Sequence, residues 1–217
     1  MNAYAGIMRV DTDLSLQETG VNPGAGVSVH FPNISSGVLA GVYNLYVKDL
    51  LGYTGPINGF CIEDAWQNPG DHPGYEAYTF DSAEVKYNRA AWIAEKYFSG
   101  TTTWDAANVQ LAIWEIVLET KTTYDIADST SGVYIYSDLW RKDLVNGIIA
   151  DSYNKSPDKE WLLLVNPKTT DYPFPVTSQQ NYLVPNPVPE PGTLILLGFG
   201  LVGLATYGKL RISRKKI

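Results

Sequence analysis

Hydrophobic and polar positions alternate with period two in some stretches of this chain and follow a helical period in others. Val27-Ser28-Val29-His30-Phe31 alternates apolar and polar residues, the mark of a strand with one buried face. Further β-prone runs lie at residues 38–47, 57–62, 161–165 and 181–184. The rest of residues 1–36 reads as irregular and turn-rich, with Pro23, Gly24, Gly26 and Pro32. Residues 69–74 combine Pro, Gly and Asp and read as a loop.

Between these strands the period changes. Residues 82–98 suit an amphipathic helix with Ser82 as N-cap, and residues 104–119 a second helix capped by Thr103. Asp105 then sits favourably in the first turn. A third helix is expected over residues 138–153. Strands, then helices, then strands predict an α+β fold: a β-rich, sandwich- or barrel-like module with a helical insertion at about 82–155. On the second helix, Ala106, Gln110, Ile113, Trp114 and Val117 share one face. Four of the five are apolar, so the Gln110 carboxamide points into the core and must find partners there.

The pattern ends differently. Residues 193–208 are an uncharged, mostly apolar run, about 24 Å long as a helix, followed by Lys209, Arg211, Arg214, Lys215 and Lys216. A slightly thinned bilayer and a snorkelling Lys209 would let it span as a transmembrane helix, with the basic end in the cytoplasm. Gly198 to Gly203 also matches a dinucleotide fingerprint, but no second strand or acidic partner follows it. Val188-Pro189-Glu190-Pro191-Gly192 precedes the run, after a proline-rich spacer. Pro-Glu-Pro, apolar span and basic cluster, in that order, resemble the PEP-CTERM sorting signal. The resemblance implies export in a Gram-negative bacterium, exosortase as a partner, and a place at the cell surface or in an exopolysaccharide matrix. An exported chain calls for a signal peptide, and Ala3-Tyr4-Ala5 looks like the end of a cleavage site with its leader upstream.

Charge sharpens that division. The chain carries 16 Lys and Arg against 23 Asp and Glu, for a net of −7. Without residues 189–217 the balance is 11 against 22, so the body is acidic and the tail basic. An acidic body argues against nucleic acid as a partner. One cysteine excludes an intramolecular disulfide, and with two histidines it leaves little for a metal site. No cofactor is expected.

The sole cysteine, Cys61, therefore draws attention. It reads either as a small buried hydrophobe or as a reactive group. A thiol-hydrolase pair with His72 has weak support, because no helix N-terminus follows Cys61 to lower its pKa. A pairing with Gln110 makes different chemistry possible. The thiol attacks the carboxamide, ammonia leaves, and an internal thioester remains as a stored acyl group. Water must be kept from it.

Phe60-Cys61-Ile62-Glu63 and Val109-Gln110-Leu111-Ala112-Ile113-Trp114 together resemble the thioester domain family of bacterial surface adhesins. That family pairs an aromatic-Cys-aliphatic-acid motif with a later Gln-x-Ala-aliphatic-Trp motif. Many members carry Thr where this chain has Val109, often Asp where it has Glu63, and sortase signals instead of the tail seen here. The resemblance implies a β-rich core with a helical insertion over residues 24–185, after an N-terminal segment 1–23 and before the sorting tail 186–217. It implies covalent capture of a nucleophile, an amine or a hydroxyl, on a surface molecule or matrix component. Such a bond is consumed by its one reaction, so the protein is not an enzyme in the turnover sense. Cys61 and Gln110 form the crosslink; Glu63 is an orienter or base, or a solvated strand-end acid; Trp114 shields the bond. The 6 Trp and 15 Tyr leave open an alternative, non-covalent carbohydrate binding or matrix scaffolding.

Overall fold

The computed structural model describes residues 6–31, 35–63, 70–98, 103–119, 121, 123–130, 132–136, 139–166, 180–187, 198–202 and 204. Among the described residues there are seven strands: β1 (Ile7–His30), β2 (Ser35–Leu50), β3 (Tyr53–Cys61), β4 (Gly70–Phe80), β5 (Tyr134–Ile135), β6 (Trp161–Val165) and β7 (Tyr182–Pro185). Three α-helices fall between β4 and β6: α1 (Val85–Tyr97), α2 (Thr103–Leu118) and α3 (Lys142–Asp151). The expected β-rich module with a helical insertion is what the chain forms.

The sheet runs β2-β3-β7-β6-β4-β1-β5, and β1 also pairs with β2. That extra pairing closes six antiparallel strands into a barrel and leaves β5 as a short addition to β1. The closing strand is long because it serves two neighbours. Residues 7–18 of β1 pair with β4, while residues 15–30 pair with β2.

Two sequence expectations need correction. The turn-rich N-terminal stretch is mostly strand, because its turn residues are absorbed as bulges in β1. The register with β2 shifts between Glu18 and Gly20 and between Val21 and Gly24. Gly20 has φ +137°, a backbone that L side chains rarely adopt. Opposite, Gly41 lets β2 approach closely: a Cβ there would stand 2.3 Å from the Pro23 carbonyl oxygen. The loop expected at 69–74 is likewise largely strand. Residues 70–73 pair with β1, Pro73 opposite Ser15, and Gly74 turns through φ +87° at a register shift.

The helices begin a little differently from expectation. α1 starts after Glu84 with no side-chain cap, so Ser82 does not cap it; the Asp81 carboxylate accepts from the Ala83 N–H one turn earlier. Thr103 is the first residue of α2, and its side chain lies outside the described residues. The third helix opens as a 3-10 turn, Leu139–Arg141. α2 packs on β1, β2 and β3 and is covered by α1 and α3. Every side chain from Ala106 to Ile116 is buried, so this helix is enclosed on all sides and does not float one apolar face on a core.

The chain divides into two units, residues 1–186 and 187–217. In the second, residues 198–202 and 204 are helical, and the rest of the expected 193–208 span lies outside the described residues. Among the described residues no helix is long and apolar enough to cross a membrane.

Candidate functional site

β3 runs between β2 and β7, and its last residue is Cys61. The ladder with β2 ends at the pair Tyr43–Gly59, since residues 35–42 of β2 follow β1 alone. On the other side the ladder with β7 continues through Phe60–Leu183 and Cys61–Tyr182, and the Ile62 N–H donates to the Asn181 carbonyl at 3.0 Å. Backbone groups alternate sides along an antiparallel strand. The N–H and C=O of Cys61 therefore point to the place that β2 has left.

Gln110 fills that place from α2. The Cys61 N–H donates to Gln110 Oε1 at 3.0 Å, and Gln110 Nε2 donates to the Cys61 carbonyl at 2.7 Å. A side-chain amide thus substitutes for one residue of a missing strand. Both residues are fully buried, and the two bonds satisfy the buried carboxamide that the helix face required.

The sulfur has its own surroundings. Cys61 Sγ donates to the Glu63 backbone carbonyl at 3.1 Å. Burial pushes the thiol pKa far up, and the Glu63 carboxylate adds to the rise; the Glu63 backbone N–H and the Trp114 indole N–H hold it partly back. The thiol is therefore neutral. Trp114 Nε1 is buried with no hydrogen-bond partner among the described residues, and it lies near enough to the Cys61 sulfur to lower the thiol pKa. The Trp114 ring meets Phe31 edge to face, with centroids 5.1 Å apart and planes at 90°.

Glu63 is half-buried, neither a core residue nor a freely solvated acid. Its carboxylate accepts from Asn181 Nδ2, whose Oδ1 accepts in turn from the Asn166 N–H at 2.8 Å. The chain segment after Cys61 is thus tied to the entry of β7.

One part of the site escaped the sequence. Because Cys61 and Tyr182 form a non-hydrogen-bonded cross-strand pair, their side chains stand side by side. Tyr182 Oη donates to Glu18 Oε2 at 3.0 Å and lies 3.3 Å from Gln180 Oε1. Tyr43 packs against Tyr182 edge to face at 5.4 Å, and Tyr75 Oη donates to the Gln180 carbonyl at 2.6 Å. Burial raises the pKa of all three phenols, and the negative charge available at Cys61 and Glu18 raises them further. Burial also raises the pKa of Glu18, while the Tyr182 hydroxyl and His72 draw it back. His72 thus faces Glu18 from β4. The signal was a period-two run, Leu14, Leu16, Glu18, which carries an acid onto a buried face.

No group of acids, Cys and His able to hold a metal ion is present among the described residues. The Asp11 carboxylate accepts from the N–H groups of Thr12 and Leu51. Comparison with known proteins yields no matching curated protein and no matching solved structure. Residues 187–211 match the PEP-CTERM protein-sorting motif, the signal of an exported protein sorted by an exosortase to the surface or exterior of Gram-negative bacteria.

Proposed function

We propose that the barrel of this exported protein forms an internal thioester between Cys61 and Gln110 and uses it for covalent capture of a nucleophile on a surface molecule or matrix component. The observation that carries the reading is the docking of the Gln110 carboxamide on both backbone groups of Cys61, in a fully buried setting. Many backbone groups would satisfy a buried glutamine. This one is held against the only cysteine, with the Trp114 indole close enough to the sulfur to lower the thiol pKa. In bond formation Sγ attacks Gln110 Cδ, the C–N bond breaks, and ammonia leaves with the thiol proton. The two residues are held in place before reaction, so little entropy remains to be lost.

The mass of the folded protein tests this directly. The wild type is expected to be one ammonia lighter than its sequence and to gain one methylamine on incubation with that amine. Cys61→Ala and Gln110→Ala should show neither change. Methylamine still entering Gln110 in the Cys61→Ala protein would end the proposal.

A second reading, non-covalent contact with carbohydrate, has support elsewhere on the body. Trp140 is 57% exposed and lies near the exposed Tyr136 and Leu144 in sequence. Its test is polysaccharide binding by wild type and Trp140→Ala, with Cys61→Ala as the control that leaves this face untouched.

A further inference from the structure

Besides Gln110 and Glu63, a second polar group lies near Cys61, and it has a defined chemistry. Glu18 is part-exposed at the rim, and His72 beside it is part-exposed too. Below them Tyr43, Tyr75 and Tyr182 surround the Cys61 side of the barrel, with Gln180 linking two of their hydroxyls. Glu18 is near enough to Cys61 to raise its pKa. A carboxylate rimmed by aromatic rings attracts a cation by charge and by ring faces. It offers nothing comparable to a neutral alcohol.

Resting on the thioester reading, we propose that the captured nucleophile is a primary alkylammonium, of the kind a lysine side chain or an amino sugar presents, and that the Glu18–Tyr182 pair takes the proton it must lose. An ammonium has no lone pair and cannot attack. One proton passes to the Glu18 carboxylate, directly or through the Tyr182 hydroxyl. The neutral amine then attacks Gln110 Cδ, the C–S bond breaks, and the second amine proton goes to the departing Cys61 sulfur. The products are a secondary amide on Gln110, a free thiol on Cys61 and one proton on Glu18, which solvent removes.

The groups facing Glu18 are Tyr182 and Gln180 from β7 and its approach, His72 and Tyr75 from β4, Tyr43 from β2 and Cys61 from β3. Glu18 is the carboxylate hydrogen-bonded within this set. Its burial lifts it from the ordinary glutamate range, which suits a group that must accept a proton and release it again.

The experiment compares two amines on wild type, Glu18→Gln and Glu18→Asp, after mass has shown whether each protein lacks one ammonia. Methylamine arrives protonated at neutral pH; hydroxylamine arrives mostly unprotonated. Glu18→Gln should capture methylamine on the order of 10²-fold more slowly than wild type. It should capture hydroxylamine at the wild-type rate, and Glu18→Asp should recover part of the methylamine rate. The methylamine rate of wild type should fall as pH drops through the Glu18 titration, with no such inflection in Glu18→Gln. A Glu18→Gln protein with the ammonia deficit and an unchanged methylamine rate overturns the assignment alone. Equal slowing of both amines overturns it as well, since that marks a structural defect. Loss of the deficit in Glu18→Gln but not Glu18→Asp would place Glu18 in bond formation, not capture. Absence of the deficit from wild type overturns the thioester reading and this assignment with it.

Discussion

Trp114 carries an N–H into a fully buried position near the Cys61 sulfur and finds no hydrogen-bond partner there among the described residues. An indole N–H is a good donor and a thiol sulfur a weak acceptor, so in the free-thiol state the pairing recovers little of the cost of burial. In the thioester chemistry proposed above, its value would lie in stabilising the negative charge that develops on sulfur as the C–S bond forms or breaks. The ring also fills space against Phe31. Trp114→Ala should cost about 3–5 kcal/mol of stability and admit water beside the acyl carbon. Trp114→Phe keeps most of the volume and removes the N–H, so its stability and its rate of bond loss should both lie between the other two. Intact mass followed over time at neutral pH, with the folded fraction measured in parallel, separates these effects. Unchanged hydrolysis in folded Trp114→Ala would mean that the ring only packs.

At the scale of elements, α2 was legible and its surroundings were not. The spacing of Ala106, Gln110, Ile113, Trp114 and Val117 located the helix and turned Gln110 inward. It did not show that Asn108 and Glu115, on other sides, are buried as well. Those positions depend on α3 and the 124–133 segment, and helical spacing says nothing about what covers a polar face. The strands β6 and β7 were legible because each is short and apolar throughout. β4 and the part of β1 before Val27 were not, because Gly20, Pro23 and Gly74 carry turn chemistry that a bulged strand also uses. Glu18, Tyr43, Tyr75 and Tyr182 come from four strands spread over most of the body, and only barrel closure brings them together.

The covering of α2 has a pH consequence. Neither Glu115 oxygen has a hydrogen-bond partner within normal distance among the described residues; the Asp125 backbone N–H helps only from longer range. Burial first, and then the charges of Glu119, Asp125 and Asp128, push the Glu115 pKa up to about 8. Between the ordinary glutamate value of about 4.5 and about 8 the folded protein holds a proton that the unfolded chain has released. Stability should therefore fall as pH rises through this window, by at most about 1.4 kcal/mol per unit from this group. Glu115→Gln imitates the protonated form. Its melting temperature should exceed that of wild type at about pH 8 and converge with it near the lower end of the window. Melts showing the same pH slope in both proteins would place the charge cost elsewhere.

The whole molecule joins an acidic body to a basic sorting tail, and the body closes through its last strand. β7 sits between β3 and β6, so a chain ending before Gln180 leaves the barrel open beside Cys61. Such a chain retains both Cys61 and Gln110. It should nevertheless show no ammonia deficit by intact mass, and a full deficit there would mean that the wall contributed by β7 is dispensable. Synthesis runs from the N-terminus, so Cys61 and Gln110 are present long before Tyr182 and Asn181 arrive to complete their surroundings. Those late residues stand immediately ahead of the sorting motif at 187–211. On the thioester reading the order of the chain is thus a timer: the proposed bond has no finished chamber until the body is complete, and the next residues made are those of the sorting motif.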